Sequence, residues 1–254
     1  ATIICAMSHK NVRRYTIMEC KITQMSKFAA AILKNSQTGT VHSVYRKTIN
    51  IEFDSGLLAL QAEYSPLSPI SLITALNETS MESLRLSHGT AVYISESSII
   101  IQSHTFFFDF SEITDLAFSP SLTPPALQKL NTNLENILRT SATGGFDSIF
   151  HVYWNIADSL PSLILEGASD YITRAYHFIQ REDYPAAASA LTRLIGLGTG
   201  LTPSGDDFLC GVLAGLLLIG KADSDFALCL KEEVSSCLHN TNDISRAFLI
   251  CALN

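Results

Sequence analysis

The first half of the chain is a series of short segments in which apolar and polar residues alternate. Residues 41–53 follow this pattern and are rich in β-branched and aromatic side chains, so they predict a strand. Asp54-Ser55-Gly56 is a hairpin signal, and residues 57–63 are the predicted partner strand. Further short strands are predicted at residues 84–87, 91–95, 99–103 and 106–110. Short strands joined by tight turns predict an antiparallel sheet or a small barrel.

The apolar pattern changes to a helical period beyond Pro120, Pro124 and Pro125. Helices are predicted at residues 126–139, 149–156, 160–165, 168–181, 185–194, 203–219 and 225–238, and a last apolar segment covers residues 244–253. We therefore predict an α+β protein with an antiparallel β domain over residues 1–119 and a helical domain over residues 120–254. Within the first domain, residues 22–33 are alanine-rich and predict a helix, and residues 3–6 predict a short strand.

The composition is typical of a globular protein with a large core. Of the 254 residues, 47% are hydrophobic and 16% are charged. Acidic residues outnumber basic residues by 24 to 17, and the net charge of −7 argues against nucleic acid or an anionic membrane as the main partner. The six cysteines form no Cys-x-x-Cys pair, which indicates free thiols in a reducing cytoplasm. The seven histidines show no zinc-binding spacing.

A glycine-rich stretch at residues 196–208 leads into an apolar segment at residues 209–219. The glycines allow positive φ and the close approach of another segment or a ligand, and Pro203 is suited to the first turn of a helix. Because this helix has no polar side beyond its first turn, we expect it to be buried. Small residues on the helix predict close contact with another helix; they are Gly211, Ala214 and Gly215.

The start of this helix is a candidate anion-binding site. A helix N-terminus carries unpaired N–H groups and a partial positive charge, which suit a phosphate or a carboxylate. The candidate substrate-binding residues are Gly198, Gly200, Thr202, Ser204 and Gly205. The same pattern also fits a capped core helix with a flexible entry loop, and spacing alone does not separate the two. The glycines match neither the Walker loop nor the dinucleotide fingerprint.

Asp206 and Asp207 are the candidate catalytic residues. Neighbours on a helix point about 100° apart, so one acid can cap the helix while the other faces a ligand. Asp207 has nearly the spacing and chemistry of a capping box with Ser204, with Thr202 as the competing N-cap, whereas Asp206 has no evident structural partner. We therefore expect Asp206 to orient a ligand. Two carboxylates would repel an anionic ligand unless a cation such as Mg²⁺ bridges them.

Three residues in the strand predicted at 41–53 are weaker candidates. His42 could face a ligand, although a structural histidine is the more common case. Arg46 and Lys47 are adjacent, so a strand would point one of them to each face. One of the two could contribute positive charge to an anionic substrate, and a solvated sheet face is the alternative.

Residues 198–207, Gly-Thr-Gly-Leu-Thr-Pro-Ser-Gly-Asp-Asp, resemble the signature of an uncharacterised-domain family. This family includes the third subunit of bacterial oxamate carbamoyltransferase, from the allantoin-degradation gene cluster. Its members typically read Gly-x-Gly-Pro-Gly-Leu-Thr-Pro-Ser-x-Asp-Asp, and Thr199 stands here at the proline position. Weaker similarity covers residues 42–51 and 64–70.

The resemblance implies a subunit of a carbamoyltransferase-type complex in purine or allantoin catabolism. It implies small anionic substrates such as oxamate and carbamoyl phosphate, and protein partners that are other subunits or further copies of this chain. A non-catalytic partner subunit and a stand-alone small-anion-binding enzyme remain as alternatives. Members of the family usually continue to a second glycine-rich segment resembling Gly-His-Thr-Ser-Gly-x-Asp, which does not occur in these residues. We therefore expect either a naturally short version or one whose C-terminal part is missing.

Overall fold

The computed structural model describes residues 18–117, 122–140, 144–155, 157, 160 and 162–254. The chain divides into two compact units, Ala1–Ala117 and Phe118–Asn254. The predicted domain boundary after residue 119 lies outside the described residues, and so does the predicted strand at residues 3–6.

The described part of the first unit contains nine strands and two helices. The strands are β1 (Met18–Ser26), β2 (Thr38–Val44), β3 (Thr48–Phe53), β4 (Gly56–Gln61), β5 (Ser71–Thr74), β6 (Ala91–Ile94), β7 (Ser98–Ile101), β8 (His104–Phe107) and β9 (Glu112–Thr114). The helices are α1 (Lys27–Lys34) and α2 (Glu78–Ser83). The strand order is β5-β4-β3-β2-β6-β7-β8-β1, and β1 also pairs with β5, which closes a barrel of eight strands. β9 pairs with the far end of β1.

The predicted α+β class with an N-terminal sheet or barrel is confirmed, but the barrel is mixed rather than purely antiparallel. β1 runs parallel to β8 and β9, and β4 runs parallel to β5. Parallel neighbours need a longer connection than a hairpin. β4 and β5 are joined by residues 62–70.

Three local predictions are corrected by the barrel. The helix predicted at residues 22–33 begins only at Lys27, because Ile22 and Met25 are buried in the barrel core as part of β1. The strand predicted at residues 41–53 is interrupted at residues 45–47 and forms the hairpin of β2 and β3. Residues 84–87 are not a strand but follow α2. The hairpin predicted at Asp54-Ser55-Gly56 is confirmed, since Phe53 pairs with Gly56.

Arg46 and Lys47 lie in the β2–β3 turn, so the expectation that they point to opposite faces of a strand is wrong. Both pair with Glu78 of α2: Arg46 Nε lies 3.0 Å from Glu78 Oε2, and Lys47 Nζ lies 2.6 Å from Oε1. Lys47 donates a hydrogen bond that lowers the pKa of Glu78. His42 Nδ1 lies 3.1 Å from the hydroxyl of Ser43. These contacts engage the side chains within the barrel unit.

His104 is a buried polar residue in the barrel, with 6% of its surface exposed. Its Nε2 lies 3.2 Å from the carbonyl oxygen of Leu84, and the Nε2–H therefore donates to that oxygen. Its Nδ1 has no hydrogen-bond partner in the part of the chain that the structure describes. Burial lowers the pKa of His104, and the Leu84 carbonyl opposes this shift.

The regular secondary structure in the described residues of the second unit is helical. Its helices are α3 (Pro124–Thr140), α4 (Asp147–Tyr153), α5 (Leu163–Gln180), α6 (Tyr184–Thr192), α7 (Ser204–Leu218), α8 (Asp225–Cys237) and α9 (Asp243–Leu253). Their core includes Leu194, Leu209, Leu230, Val234 and Leu249. None of the helices that the structure describes combines the length and the hydropathy that a membrane crossing requires.

The described cysteines are free thiols, as the sequence indicated. Cys20 is buried, and Cys210, Cys229, Cys237 and Cys251 are half-buried. Burial raises the pKa of both Cys210 and Cys251 to about 12. These two thiols are therefore protonated at neutral pH and poorly reactive.

We predict that His104 makes the stability of the protein fall as the pH falls. Since the pKa of His104 is lowered in the folded protein, the unfolded chain takes up the proton at a higher pH, about 6.5. The stability given by the neutral imidazole is present above that pH and is lost between it and the lowered folded pKa. His104→Leu should remove this part of the decrease in chemical denaturation experiments between about pH 7.5 and pH 5. An unchanged slope in His104→Leu would contradict the link between this imidazole and stability.

Candidate functional site

The glycine-rich loop folds back over the first turn of α7. The N–H of Gly205 donates to the carbonyl oxygen of Leu197 at 2.9 Å. A Cβ atom on Gly205 would lie 1.9 Å from the carbonyl oxygen of Leu194, and one on Gly198 would lie 2.6 Å from the backbone nitrogen of Ser204. Gly198 also has a φ of +133°, which residues with a side chain rarely adopt. Only glycine therefore fits at these two positions.

Asp206 joins three segments of the second unit through its carboxylate. The side chain belongs to the first turn of α7 and is 1% exposed. Its Oδ1 accepts a hydrogen bond from the N–H of Gly196 at 2.8 Å. Its Oδ2 accepts from the hydroxyl of Thr241 at 2.5 Å and from that of Ser245, in α9, at 2.6 Å. The carboxylate thus fixes the start of the glycine loop and the start of α9 to the start of α7.

The turn before α9 is held in place independently of Asp206. Arg246 donates from Nε to the Leu238 carbonyl oxygen at 3.0 Å and from Nη2 to the Thr241 carbonyl oxygen at 3.1 Å. Its Nη1 pairs with Asp243 at 2.7 Å. Gly196 packs closely on the same turn, because a Cβ atom there would lie 2.4 Å from the Asn240 carbonyl oxygen. The hydroxyl of Thr241 is therefore positioned for Asp206 by its own backbone.

Asp207 lies on the exposed side of α7. Partial burial of its carboxyl group raises the pKa, the charge of Asp206 adds to this effect, and a hydrogen bond from Thr202 opposes it. Asp207 is thus an acid that reaches solvent and whose charged form is disfavoured by its surroundings.

The structural contacts of the two acids differ from those that we expected. The capping box of Ser204 and Asp207 does not form: Pro203 is the N-cap, and no side chain caps the described helix start. Asp207 interacts with Thr202 instead. Asp206, expected to be without a structural partner, has three. The sequence could not reveal them because Thr241 and Ser245 lie 35 and 39 residues further along the chain.

The predicted substrate-binding residues divide into two groups. Gly198 and Gly205 are used for close backbone packing, as described above. Gly200 has a φ of +99° and no described atom within 4 Å of a Cβ position, and Thr202 and Ser204 are half-buried. The open side of the loop is therefore formed by Gly200, Thr202 and Ser204 together with Asp207.

Backbone amides of the helix start are largely engaged within the chain. The N–H of Gly205 bonds to Leu197, and those of Asp206 and Asp207 donate to the Pro203 carbonyl oxygen at 2.9 and 3.2 Å. These are the groups that an anion at a helix N-terminus would use. The arrangement leaves the hydroxyl group of Ser204, rather than a full set of free amides, as a donor on the open side, because Thr202 donates to Asp207.

A pair of adjacent glycines, Gly144 and Gly145, lies beside the motif. A Cβ atom on Gly145 would lie 3.5 Å from the hydroxyl oxygen of Ser204. The centroids of the Phe146 and Phe208 rings are 6.0 Å apart. Asp147 is buried and accepts a hydrogen bond from the N–H of Gly144 at 3.0 Å. The pair of adjacent glycines was the only sequence signal for this neighbour.

The predicted burial of α7 is correct for one side of the helix. Gly205, Asp206, Leu209 and Leu213 are buried, whereas the remaining residues of α7 are at least partly exposed. No described atom lies within 4 Å of a Cβ position at Gly211 or Gly215, so the expected close helix contact is not made within the described chain.

A Mg²⁺ ion bridging the two acids does not fit this geometry. Both oxygens of Asp206 are turned inward to hydrogen-bond donors. Among the described residues, no group of three or more histidine, cysteine, aspartate or glutamate side chains is placed to hold a metal ion.

Fold and motif together define an α+β protein with a mixed barrel and a helical unit that carries a glycine loop. The family model of the oxamate carbamoyltransferase subunit AllH matches residues 194–254, and that of the AllH family N-terminal domain matches residues 19–115. The chain therefore belongs to the AllH family. No curated protein and no solved structure matches it.

We predict that Asp206 is essential for stability and Asp207 is not. Asp206→Ala leaves an amide and two hydroxyl groups without their acceptor in a buried site, so it should cost at least about 3 kcal/mol of unfolding free energy. Asp207→Ala removes an exposed acid and should change stability by less than about 1 kcal/mol. Urea denaturation of both variants measures the difference. Equal losses of unfolding free energy in the two variants would contradict the hydrogen bonds assigned to Asp206.

We predict opposite effects for two glycines of α7. Gly205→Ala places a methyl group against the Leu194 carbonyl oxygen and should cost about 3 kcal/mol or more. Gly211→Ala adds a methyl group in open space within a helix and should stabilise by about 0.5–1 kcal/mol. Thermal unfolding of the two variants makes the comparison, and a stable Gly205→Ala protein would show that the loop packs differently.

Proposed function

We propose that this chain acts as a subunit of an oxamate carbamoyltransferase-type complex in which the open side of the glycine loop contacts a small anionic substrate. Its membership of the family that is described by an oxamate carbamoyltransferase subunit supports the complex. The observation that carries the proposal for the site is the difference between the two acids: Asp206 is fully engaged inside the protein, and Asp207 reaches solvent beside the loop.

The chemistry of the open side suits a molecule that has both an anionic group and an amide. Oxamate and carbamoyl phosphate each carry a carbamoyl NH₂ group next to an anionic group. In the proposed arrangement, Asp207 accepts a hydrogen bond from that NH₂ group. The hydroxyl group of Ser204 donates to the anionic oxygens, and the positive end of the α7 dipole favours them. In this arrangement Asp207 orients the substrate and no metal ion is needed.

Other subunits are needed in this proposal for two reasons. The apolar surface of α7 around Gly211 and Gly215 is uncovered within the described chain, and exposed apolar surface of this kind marks interaction sites. One exposed carboxylate and one hydroxyl group also orient a substrate without supplying a general base of their own. Other subunits, or further copies of the chain, would complete the site.

The test is Asp207→Asn, assayed in the assembled complex with oxamate and carbamoyl phosphate. Loss of the orienting carboxylate should lower carbamoyl transfer about tenfold or more, which corresponds to about 1.4 kcal/mol. Stability should be kept or should rise at neutral pH, because the fold disfavours the charged form of Asp207. Since the pKa of this acid is raised in the folded protein, that gain should vanish as the pH falls below about 3.8, where Asp207 is protonated in both states.

The matched control is Asp225→Asn, which removes an exposed acid from the first turn of α8. It should leave carbamoyl transfer unchanged. A wild-type rate of carbamoyl transfer for Asp207→Asn, in a complex that assembles normally, would contradict the proposed role of Asp207. Turnover by the isolated chain alone would instead favour a stand-alone enzyme.

A non-catalytic partner subunit is the second candidate, and the close packing of the motif supports it. Gly198, Gly205 and Asp206 each make contacts within the chain that would require these residue types without any ligand. In that case the motif holds α7 and α9 in place and presents α7 to another subunit. The Asp207→Asn assay separates the two candidates, because the partner-subunit role predicts an unchanged rate.

A further inference from the structure

Strand β2 contains a β-bulge at His42. In the pairing of β2 with β3, Val41 lies opposite Ile51 and Ser43 lies opposite Asn50, so β2 has one residue more than β3 over this step. Two successive residues of the bulged strand then oppose a single residue of its neighbour. His42 and Ser43 therefore both lie opposite Asn50, whereas successive side chains of a regular strand point to opposite faces. Bulges occur often next to active sites, where they redirect a side chain.

The side chains at the bulge form a row of hydrogen bonds, and we call them the β2 bulge cluster: His42, Ser43 and Asn50. Asn50 Nδ2 donates to the hydroxyl oxygen of Ser43 at 2.9 Å. His42 Nδ1 lies 3.1 Å from the same oxygen. Because Asn50 already donates to this oxygen, the hydroxyl group can direct its own proton to His42 Nδ1. The distance from Nδ1 to the hydroxyl is within the range that joins a nucleophile to its base.

The backbone at the bulge is held by contacts that do not use the cluster's side chains. His88 Nδ1 lies 2.8 Å from the carbonyl oxygen of His42, so the Nδ1–H donates to it. The N–H of Gly89 donates to the carbonyl oxygen of Val41 at 2.8 Å. Asn50 is 3% exposed, whereas His42 and Ser43 are half-buried. The cluster thus combines a fixed amide with an imidazole and a hydroxyl that a small molecule can approach.

We propose that Ser43 is a nucleophile for small esters and that His42 is its general base. The hydroxyl oxygen of Ser43 bonds to the carbonyl carbon of the ester while its proton passes to His42 Nδ1. The bond from that carbon to the leaving oxygen then breaks, and His42 returns the proton to this oxygen. The products of this step are an acyl ester of Ser43 and a free alcohol. A water molecule, deprotonated by His42 in the same way, releases the acid and restores the hydroxyl group.

This inference does not rest on the role proposed for Asp207, because the cluster lies in the barrel unit and its reaction does not involve the glycine loop. The cluster supplies both a nucleophile and a base, and imidazole is the side chain that enzymes use most often as a general base. A purely structural hydroxyl would need hydrogen-bond partners but would not react with an ester.

The experiment treats the purified full chain with p-nitrophenyl acetate, follows the release of p-nitrophenol, and locates bound acetyl groups by mass spectrometry of peptides. The wild type should release p-nitrophenol at least about tenfold faster than Ser43→Ala and than His42→Asn. The acetyl group should be found on Ser43. The matched control is His177→Asn, which removes an exposed imidazole from α5 and should react like the wild type.

A second measurement applies if Ser43→Ala does not fold. The thiol of Ser43→Cys should be alkylated by iodoacetamide at least about tenfold faster than the same thiol in a variant that also carries His42→Asn, because the imidazole takes up the thiol proton. Mass spectrometry separates this position from the native cysteines.

Three results would overturn the proposal. The first is equal release of p-nitrophenol by the wild type and Ser43→Ala. The second is acetylation at lysines or other histidines with none at Ser43. The third is an alkylation rate of Ser43→Cys that is the same with and without His42.

Discussion

The helical unit depends on the hydrogen bonds that the carboxylate of Asp206 accepts. It is buried and accepts hydrogen bonds from a backbone amide and two hydroxyl groups that come from separate parts of the chain. Hydrogen bonds to a charged acceptor are stronger than neutral ones, and a buried donor that loses its acceptor is costly. The glycine loop, α7 and the start of α9 therefore hold their positions together. The glycines make this possible because a side chain at Gly196, Gly198 or Gly205 would collide with neighbouring backbone.

The fixed charge of Asp206 is one of the two causes that raise the pKa of the neighbouring Asp207. Asp207 is one residue further along α7 and turns toward solvent, close to a charge that is fixed in the interior. Its raised pKa follows from partial burial and from that charge. The two adjacent aspartates thus combine a buried carboxylate that accepts three hydrogen bonds with an exposed carboxylate. A mutational study that changed both acids at once would mix the loss of stability expected at Asp206 with the effect of removing Asp207.

The sequence predicted the secondary-structure elements better than it predicted contacts between residues that lie far apart in the chain. The two-residue alternation of the first half and the helical period of the second gave the α+β class, and the Asp54–Gly56 signal gave a hairpin. The prediction from the sequence was wrong at β1. The alanine-rich run that ends at Leu33 has a helical composition, but Ile22 and Met25 belong to a strand. The sequence indicated a structural contact for the wrong aspartate, because a capping box is visible in four consecutive residues, whereas Ser245 lies 39 residues after Asp206. The parallel strand pairs were missed for the same reason, since pairing between distant strands leaves no local pattern.

The most direct test of this account is a double-mutant cycle between Asp206 and Ser245, measured by urea denaturation of the single variants Asp206→Asn and Ser245→Ala and of the double variant. If the carboxylate and the hydroxyl interact as described, the effects of the two changes should not add, and the coupling should be about 1 kcal/mol or more. The cycle between Asp207 and Ser245 should show additive effects within about 0.5 kcal/mol. Additive effects in the first cycle, or coupling only in the second, would contradict the central role given to Asp206.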